Sequence, residues 1–452
     1  MKKQVFILFL FLSACFPFLF AQSVDFRQWA SVPPMGWNSW DCYGPTVEEH
    51  EVRANADYMA EHLKAYGWEY IVVDIRWFVE NDKAGGYNQT DPRYVLDGYG
   101  RYLPALNRFP SAFGGKGFKP LADYIHSKGL KFGIHIMRGI PKEAVSQKLP
   151  IKDTPYTADQ VFSTQQLCRW LGDNYSIADV PGGQEYYNSI LELYASWGVD
   201  FLKVDDLSSP YHRLEIEMIR KAIDRTGRPI VLSLSPGETP VEEAVHVSRH
   251  GNMWRMVNDV WDIWDDLTHL MEVAQHWYPY IGPTWPDCDM LPLGRIAIRG
   301  ERGRERLTRL TPREQYSLMT FFAIFRSPLM FGGDLPSNDA FTLSLLTNAE
   351  VLRMHREGVD VRRLYGGEGR LSVTSRNAQS GASYLALFNL SDHPEEMLLV
   401  VNLSDLGIYG ETRATNLWTG ETTGDIHGTF SVTLPPHACG LYQFDPGKPS
   451  SR

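Results

Sequence analysis

Between about Val32 and Leu335 the chain repeats one pattern, a short apolar run followed by a longer amphipathic stretch. "MGWNSW" precedes "VEEHEVRANADYMAEHLKAYG", and then come "YIVVDIRWF", "PLADYIHSKG" and "LKFGIHIM". "EYYNSILELYASWG" leads into "VDFLKVDD", "HRLEIEMIRKAIDRTG" into "PIVLSLS", and "REQYSLMTFFAIF" into "PLMFGG". Strands alternating with helical stretches predict a parallel sheet covered by helices. About eight such runs in roughly 300 residues fit a closed (β/α)8 barrel, the TIM barrel, better than a doubly wound sheet. After about Thr347 the character changes. "LSVTSR", "SYLALFNL", "EMLLVVNL" and "TFSVTLPPHACGLYQF" read as strands with turn residues between them. They predict a C-terminal antiparallel β-sandwich. The expected division is residues 1–21 as a signal peptide, 22–346 as the barrel and 347–452 as the sandwich.

The first 21 residues carry Lys2 and Lys3 and then "VFILFLFLSACFPFLFA", the layout of a secretory signal with cleavage after Ala21. "LSAC" also matches the lipoprotein pattern that would acylate Cys15, but the apolar run continues past it, which favours ordinary cleavage and an exported protein. No other run is long and apolar enough to span a membrane. Export permits disulfides, yet Cys42, Cys168, Cys288 and Cys439 are widely spaced, with no CxxC pair to suggest zinc or redox chemistry. With a net charge of −10 and no long basic run, nucleic acid is not an expected partner.

Barrel enzymes place their chemistry at the C-terminal ends of the strands. Here those ends carry Asp74, His135 with Arg138, Lys203 with Asp205 and Asp206, Ser235, Arg255 with Asp259, and Asp287 with Asp289. Trp37 and Trp40 lie near the first strand's end. The strand ends hold no His-rich cluster for a metal and no Gly-rich phosphate loop. Side chains on a strand alternate faces. Phe201, Lys203 and Asp205 therefore share one face and Asp206 takes the other. An ammonium beside a carboxylate favours its ionised form, which a nucleophile needs. Arg255 and Asp259 share a face by the same parity. Two such carboxylates suit glycoside hydrolysis, one attacking the anomeric carbon and one protonating the leaving oxygen. Structural roles compete with these readings: Asp206 and Asp287 suit helix capping, Trp40, Trp254 and Trp285 suit the core, His135 a satisfied core position, and Cys288 a packed thiol.

"PPMGWNSW", "YGWEYIVVD", "GLKFGIHIM", "GVDFLKVDD", "WRMVND" and "PDCDML" occur in the order found in glycoside hydrolase family 27, which the chain resembles from about Val32 to Leu335. "VVDIRW" and "GIHIMRGIP" resemble a bacterial subgroup. The resemblance implies a retaining, metal-free and cofactor-free double displacement on an oligosaccharide or polysaccharide with a terminal α-galactoside. It implies Asp205 as nucleophile and Asp259 as acid/base, with Trp37, Asp74, Lys203, Arg255 and Asp289 at sugar-binding positions. Three departures bear on the substrate. The family's usual second aspartate is Ile75, with Arg76 a candidate replacement for its contact; a usual tyrosine is His135; and a disulfide cysteine is Leu207. Ser235 stands near a position where animal galactosidases carry Glu and N-acetylgalactosaminidases Ser, and Glu238 is close enough in sequence to reach back. α-Galactosidase is the expected activity. α-N-Acetylgalactosaminidase and β-L-arabinopyranosidase are the alternatives, and a catalytically inactive galactoside-binding protein is the rival from another class. The presence of Asp205, Asp259 and Lys203 argues against that last reading.

Overall fold

The computed structural model describes residues 25–446, so the expected signal peptide and Cys15 lie outside the described residues. Eight parallel strands follow in sequence: β1 (Met35–Asn38), β2 (Tyr70–Val73), β3 (Lys131–Met137), β4 (Phe201–Asp205), β5 (Val231–Leu234), β6 (Met253–Arg255), β7 (Trp285–Asp287) and β8 (Leu329–Phe331). Each pairs with the next from β1 to β7, and β8 returns to β1. Closure comes from a continuation of β7, Met290–Leu291, which pairs with β8. Between the two parts Asp289 takes a left-handed φ of 83°, so the chain kinks where the seventh strand must face both neighbours.

Alternation sorts the side chains into two layers. Tyr70, Val72, Phe201, Val231, Met253, Trp285 and Met330 fill the barrel interior. Ile71, Val73, Leu202, Val204, Leu232, Trp254 and Phe331 face the surrounding helices. Trp254 and Trp285 are thus core residues, as expected. Among the helices, α1 (Gly183–Trp197) and α2 (Arg213–Thr226) lie side by side before and after β4. Both end on glycines in the left-handed region, Gly198 and Gly227, which lets the chain turn back into the next strand.

The expected boundary at 346/347 moves. Helices Ala340–Leu346 and Ala349–Glu357 follow β8, and the second packs on α3 (Pro312–Phe325). The antiparallel domain begins only at Gly358. It has a six-stranded sheet and a two-stranded sheet, Met397–Asn402 with Thr429–Leu434. Its strands share the barrel's core through Val373, Ala386, Phe388 and Leu441. Polar contacts add to that seam: Trp418 Nε1 donates to Thr320 Oγ1 at 2.8 Å, and His437 Nδ1 lies 2.6 Å from Glu314. Cys42, Cys168, Cys288 and Cys439 are unpaired, and Leu207, standing where a disulfide cysteine is usual, is fully buried. Among the described residues no helix is long and apolar enough to cross a membrane.

Candidate active site

A cavity of about 320 Å³ opens at the C-terminal ends of the strands. That is near the lower limit of typical ligand pockets and suits a single sugar ring. Asp74, His135, Lys203, Asp205, Arg255, Asp259 and Asp289 all line it. Of the eleven polar residues that the strand-end reading named, these seven come together.

β4 supplies the first half. Phe201 sits in the barrel interior, and Lys203 and Asp205 rise above it on the same face. In register, Lys203 pairs with His135 of β3 and Ser233 of β5, so the strands carry their charged side chains to one level. Lys203 Nζ is 3.3 Å from Asp74 Oδ2, His135 Nδ1 is 2.7 Å from Asp74 Oδ1, and His135 Nε2 is 3.7 Å from Asp205 Oδ1. Ser235 Oγ donates to Asp205 Oδ1 at 2.9 Å. Burial alone would raise the Asp205 carboxyl; His135 and the Lys203 ammonium outweigh it and hold the group below its ordinary value. Asp74 is lowered in the same way, against its burial, by His135 and Lys203. Burial would discharge His135 and Lys203, but the facing carboxylates, Asp74 first, raise both above their ordinary values. The result is a desolvated, charge-balanced cluster that favours the ionised form of Asp205 on the cavity wall.

The other half comes from β6 and β7. Arg255 bridges two carboxylates, Asp289 at 2.6 Å and Asp259 at 3.2 Å. Asp289 also accepts the Val260 N–H at 2.7 Å, which ties the segment carrying Asp259 to the β7 kink. Burial pushes the Asp289 carboxyl up to about 7 against the pull of Arg255, and the nearby Asp259 adds to the rise. Asp259 is the more exposed partner, its side chain 39% accessible against 6% for Asp289. Asp259 is therefore the carboxylate open to the cavity, while Asp289 anchors the guanidinium.

Several expectations change. Trp37 is fully buried in the helix-facing layer, its Nε1 donating to Gly333 O at 2.8 Å. On β1 it alternates with Gly36 and Asn38, so it cannot face the cavity. Trp40, two residues beyond the strand, lines the cavity instead and packs on Tyr87 with ring centroids 5.7 Å apart. Ser235 is fully buried behind Asp205, and the wall beside it is Pro236 and Gly237, so it holds the Asp205 carboxylate and does not line the cavity. Arg138 and Arg76 point away from the cavity. Arg138 pairs with Glu215 at 2.6 Å and Asp206 at 2.8 Å, and Arg76 with Asp82 at 2.8 Å and Asp173 at 2.9 Å. Glu238 pairs with His269 on the surface. Asp206 and Asp287 do not line this cavity, and neither caps a helix: Asp206 holds Arg138, and Asp287 accepts the Asp289 N–H at 3.0 Å.

Several lining residues escaped the strand-end argument. Asp41 follows Trp40, and burial drives its carboxyl well above the ordinary range. Tyr87, Trp170, Trp261, Glu301 and Arg302 come from loops and line the cavity. Only Trp40 and Asp41 had a signal, since they stand directly beyond a strand end.

The chain is similar to known proteins over nearly its whole length. A family model described as alpha galactosidase A matches residues 170–357, and one described as alpha galactosidase C-terminal beta sandwich domain matches residues 368–444. A solved GH27 β-L-arabinopyranosidase from Geobacillus stearothermophilus, in complex with arabinose, is 48% identical with a TM-score of 0.91, covering 94% of this chain and 99% of that one. A Bacillus halodurans structure, named only provisionally as an α-N-acetylgalactosaminidase, is 45% identical with a TM-score of 0.82, covering 92% of this chain and 97% of the other. Alpha-galactosidase A of Cellvibrio japonicus is 27% identical over 99% of this chain and all of its own length.

Proposed function

The chain belongs to glycoside hydrolase family 27, and on that premise we propose that it is an exo-acting, retaining hydrolase of terminal α-galactosides and of β-L-arabinopyranosides, which share the galactose ring configuration. The observation that carries this reading is the pairing of an ionised Asp205, held by Lys203, His135 and Ser235, with a more exposed Asp259 across one sugar-sized cavity. Asp205 attacks the anomeric carbon and forms a glycosyl ester while Asp259 donates a proton to the leaving oxygen. Asp259 then takes a proton from water, which attacks the same carbon and releases the sugar with its configuration retained. Asp74, Lys203 and Arg255 supply fixed donors and acceptors for the ring hydroxyls.

Ile75 favours the arabinopyranoside within this class. It is 1% exposed and lies on the cavity wall beside Asp74, where the family usually offers a second carboxylate. An alkyl group there leaves a substrate hydroxyl without an acceptor, and arabinopyranose differs from galactose by lacking the C6 hydroxymethyl group. Leaving one hydroxyl unpaired costs about 1–3 kcal/mol, roughly 10- to 100-fold in kcat/KM. The 48% identity to a protein named as a β-L-arabinopyranosidase supports the same preference.

The test is a panel of nitrophenyl α-galactoside, α-N-acetylgalactosaminide and β-L-arabinopyranoside. Turnover of the first and third supports the proposal, and preference for the N-acetylated substrate overturns it. Ile75→Asp is expected to shift the kcat/KM ratio toward the α-galactoside by about tenfold or more. An unchanged ratio would show that Ile75 does not set the preference. NMR of the first product from the α-galactoside should show the α-anomer; initial β-anomer excludes retention. Export with cleavage after Ala21 belongs to the same proposal. It expects an exported protein beginning at Gln22, whereas a lipid on Cys15 would overturn it.

A further inference from the structure

On the outer face of the barrel, away from the cavity lining, three ligand-type side chains converge. We propose that Glu217, His246 and His250 form a binding site for a divalent transition-metal ion of the zinc class. One carboxylate oxygen and one ring nitrogen from each histidine lie within 4.8 Å of one another. Glu217 comes from α2, and the histidines from the helical turn after β5. His250 and His246 are four residues apart, and the turn stays helical across them because the His250 and Gly251 N–H groups both bond to Val247 O. Residues four apart lie on one helix face, so both rings project toward α2. Their centroids are 4.1 Å apart.

The hydrogen bonds behind the rings give the cluster its direction. His250 Nδ1 lies 2.8 Å from His246 O, and a carbonyl only accepts, so the proton is on Nδ1 and the Nε2 lone pair is free. His246 Nδ1 lies 2.6 Å from the Tyr211 hydroxyl, and its Nε2 lies 3.0 Å from Glu217 Oε1. In both histidines Nδ1 has an outer partner. Nε2 of His250 is free, while Nε2 of His246 shares its proton with the Glu217 carboxylate. A bound ion would replace that proton, which moves to Nδ1 and is donated to the Tyr211 oxygen, the outer contact that metal-bound histidines make. Two imidazoles and one carboxylate suit Zn²⁺ and its neighbours in the transition series, whereas Mg²⁺ and Ca²⁺ prefer all-oxygen sets. Glu217 is half-exposed, so water can complete the coordination. The ion would tie α2, which follows the nucleophile strand, to the segment that follows Pro236 and Gly237 of the cavity wall.

Titration of the chelator-treated full chain with zinc chloride tests this. One Zn²⁺ per chain is expected, unaffected by millimolar Mg²⁺, with a rise in Tm. His250→Ala and Glu217→Gln, both at accessible positions, should each weaken binding at least about tenfold and remove the Tm rise, with galactoside hydrolysis unchanged. Tyr211→Phe should weaken it by about tenfold through loss of the outer hydrogen bond. No stoichiometric binding by the wild-type chain, or wild-type affinity in His250→Ala, overturns the proposal.

Discussion

Asp205→Asn is expected to lower kcat by at least about three orders of magnitude, while the variant folds and binds sugar close to wild type. The amide has nearly the shape of the carboxylate and can still accept from Ser235 Oγ, and its neighbours keep their second partner: Lys203 and His135 both remain in contact with Asp74. What is lost is the charge that stabilises an oxocarbenium-like transition state and the oxygen that forms the ester. Steady-state kinetics should therefore show a collapse of kcat with KM changed little. Calorimetric binding of galactose or arabinose should survive, and circular dichroism should report an intact fold. Retention of activity within tenfold of wild type would show that another group is the nucleophile. Loss of both turnover and sugar binding with an intact fold would mean that Asp205 holds the ground-state sugar and is not reserved for chemistry.

The alternation rule explains both what the sequence made legible and where it misled. On β4 it set Lys203 and Asp205 inward and turned Asp206 out, and the structure agrees, because a strand buried on both faces must commit each side chain to one layer. The same rule applied to "MGWN" puts Gly36 and Asn38 inward and Trp37 outward; the motif resemblance pointed to the wrong tryptophan, and the chain carries Trp40 to the cavity by turning just beyond the strand. Ser235 follows directly on β5 but stands behind Asp205, a depth that periodicity does not encode. Tyr87, Trp170 and Glu301 were illegible for a different reason: they sit in long loops whose path depends on buried ion pairs such as Arg76 with Asp173, distant in sequence. The late domain boundary follows from "NAEVLRMHRE", a nine-residue helix capped by the Asn348 side chain and too short to stand out beside the strands after it.

Asp259→Asn should separate the two chemical steps. Arg255 keeps its 2.6 Å contact with Asp289 when Asp259 loses its charge, so the cavity wall remains in place and the change falls on proton transfer. With a sugar or alcohol leaving group, the first step needs a donated proton, and kcat/KM is expected to fall by about 10²- to 10⁴-fold. A dinitrophenolate leaves without protonation, so kcat/KM for that substrate should fall less than about tenfold. The second step still needs a base to activate water. The ester on Asp205 should therefore accumulate, visible as a burst of dinitrophenol followed by slow turnover. Azide, which attacks without losing a proton, should restore the rate and give a glycosyl azide of retained configuration, since it enters from the face that Asp259 guards. Equal losses for both leaving groups, with no burst and no azide rescue, would remove Asp259 from the acid/base role. Suspicion would then fall on Glu301 as the remaining loop carboxylate lining the cavity, half-buried and raised by its desolvation and by Asp259.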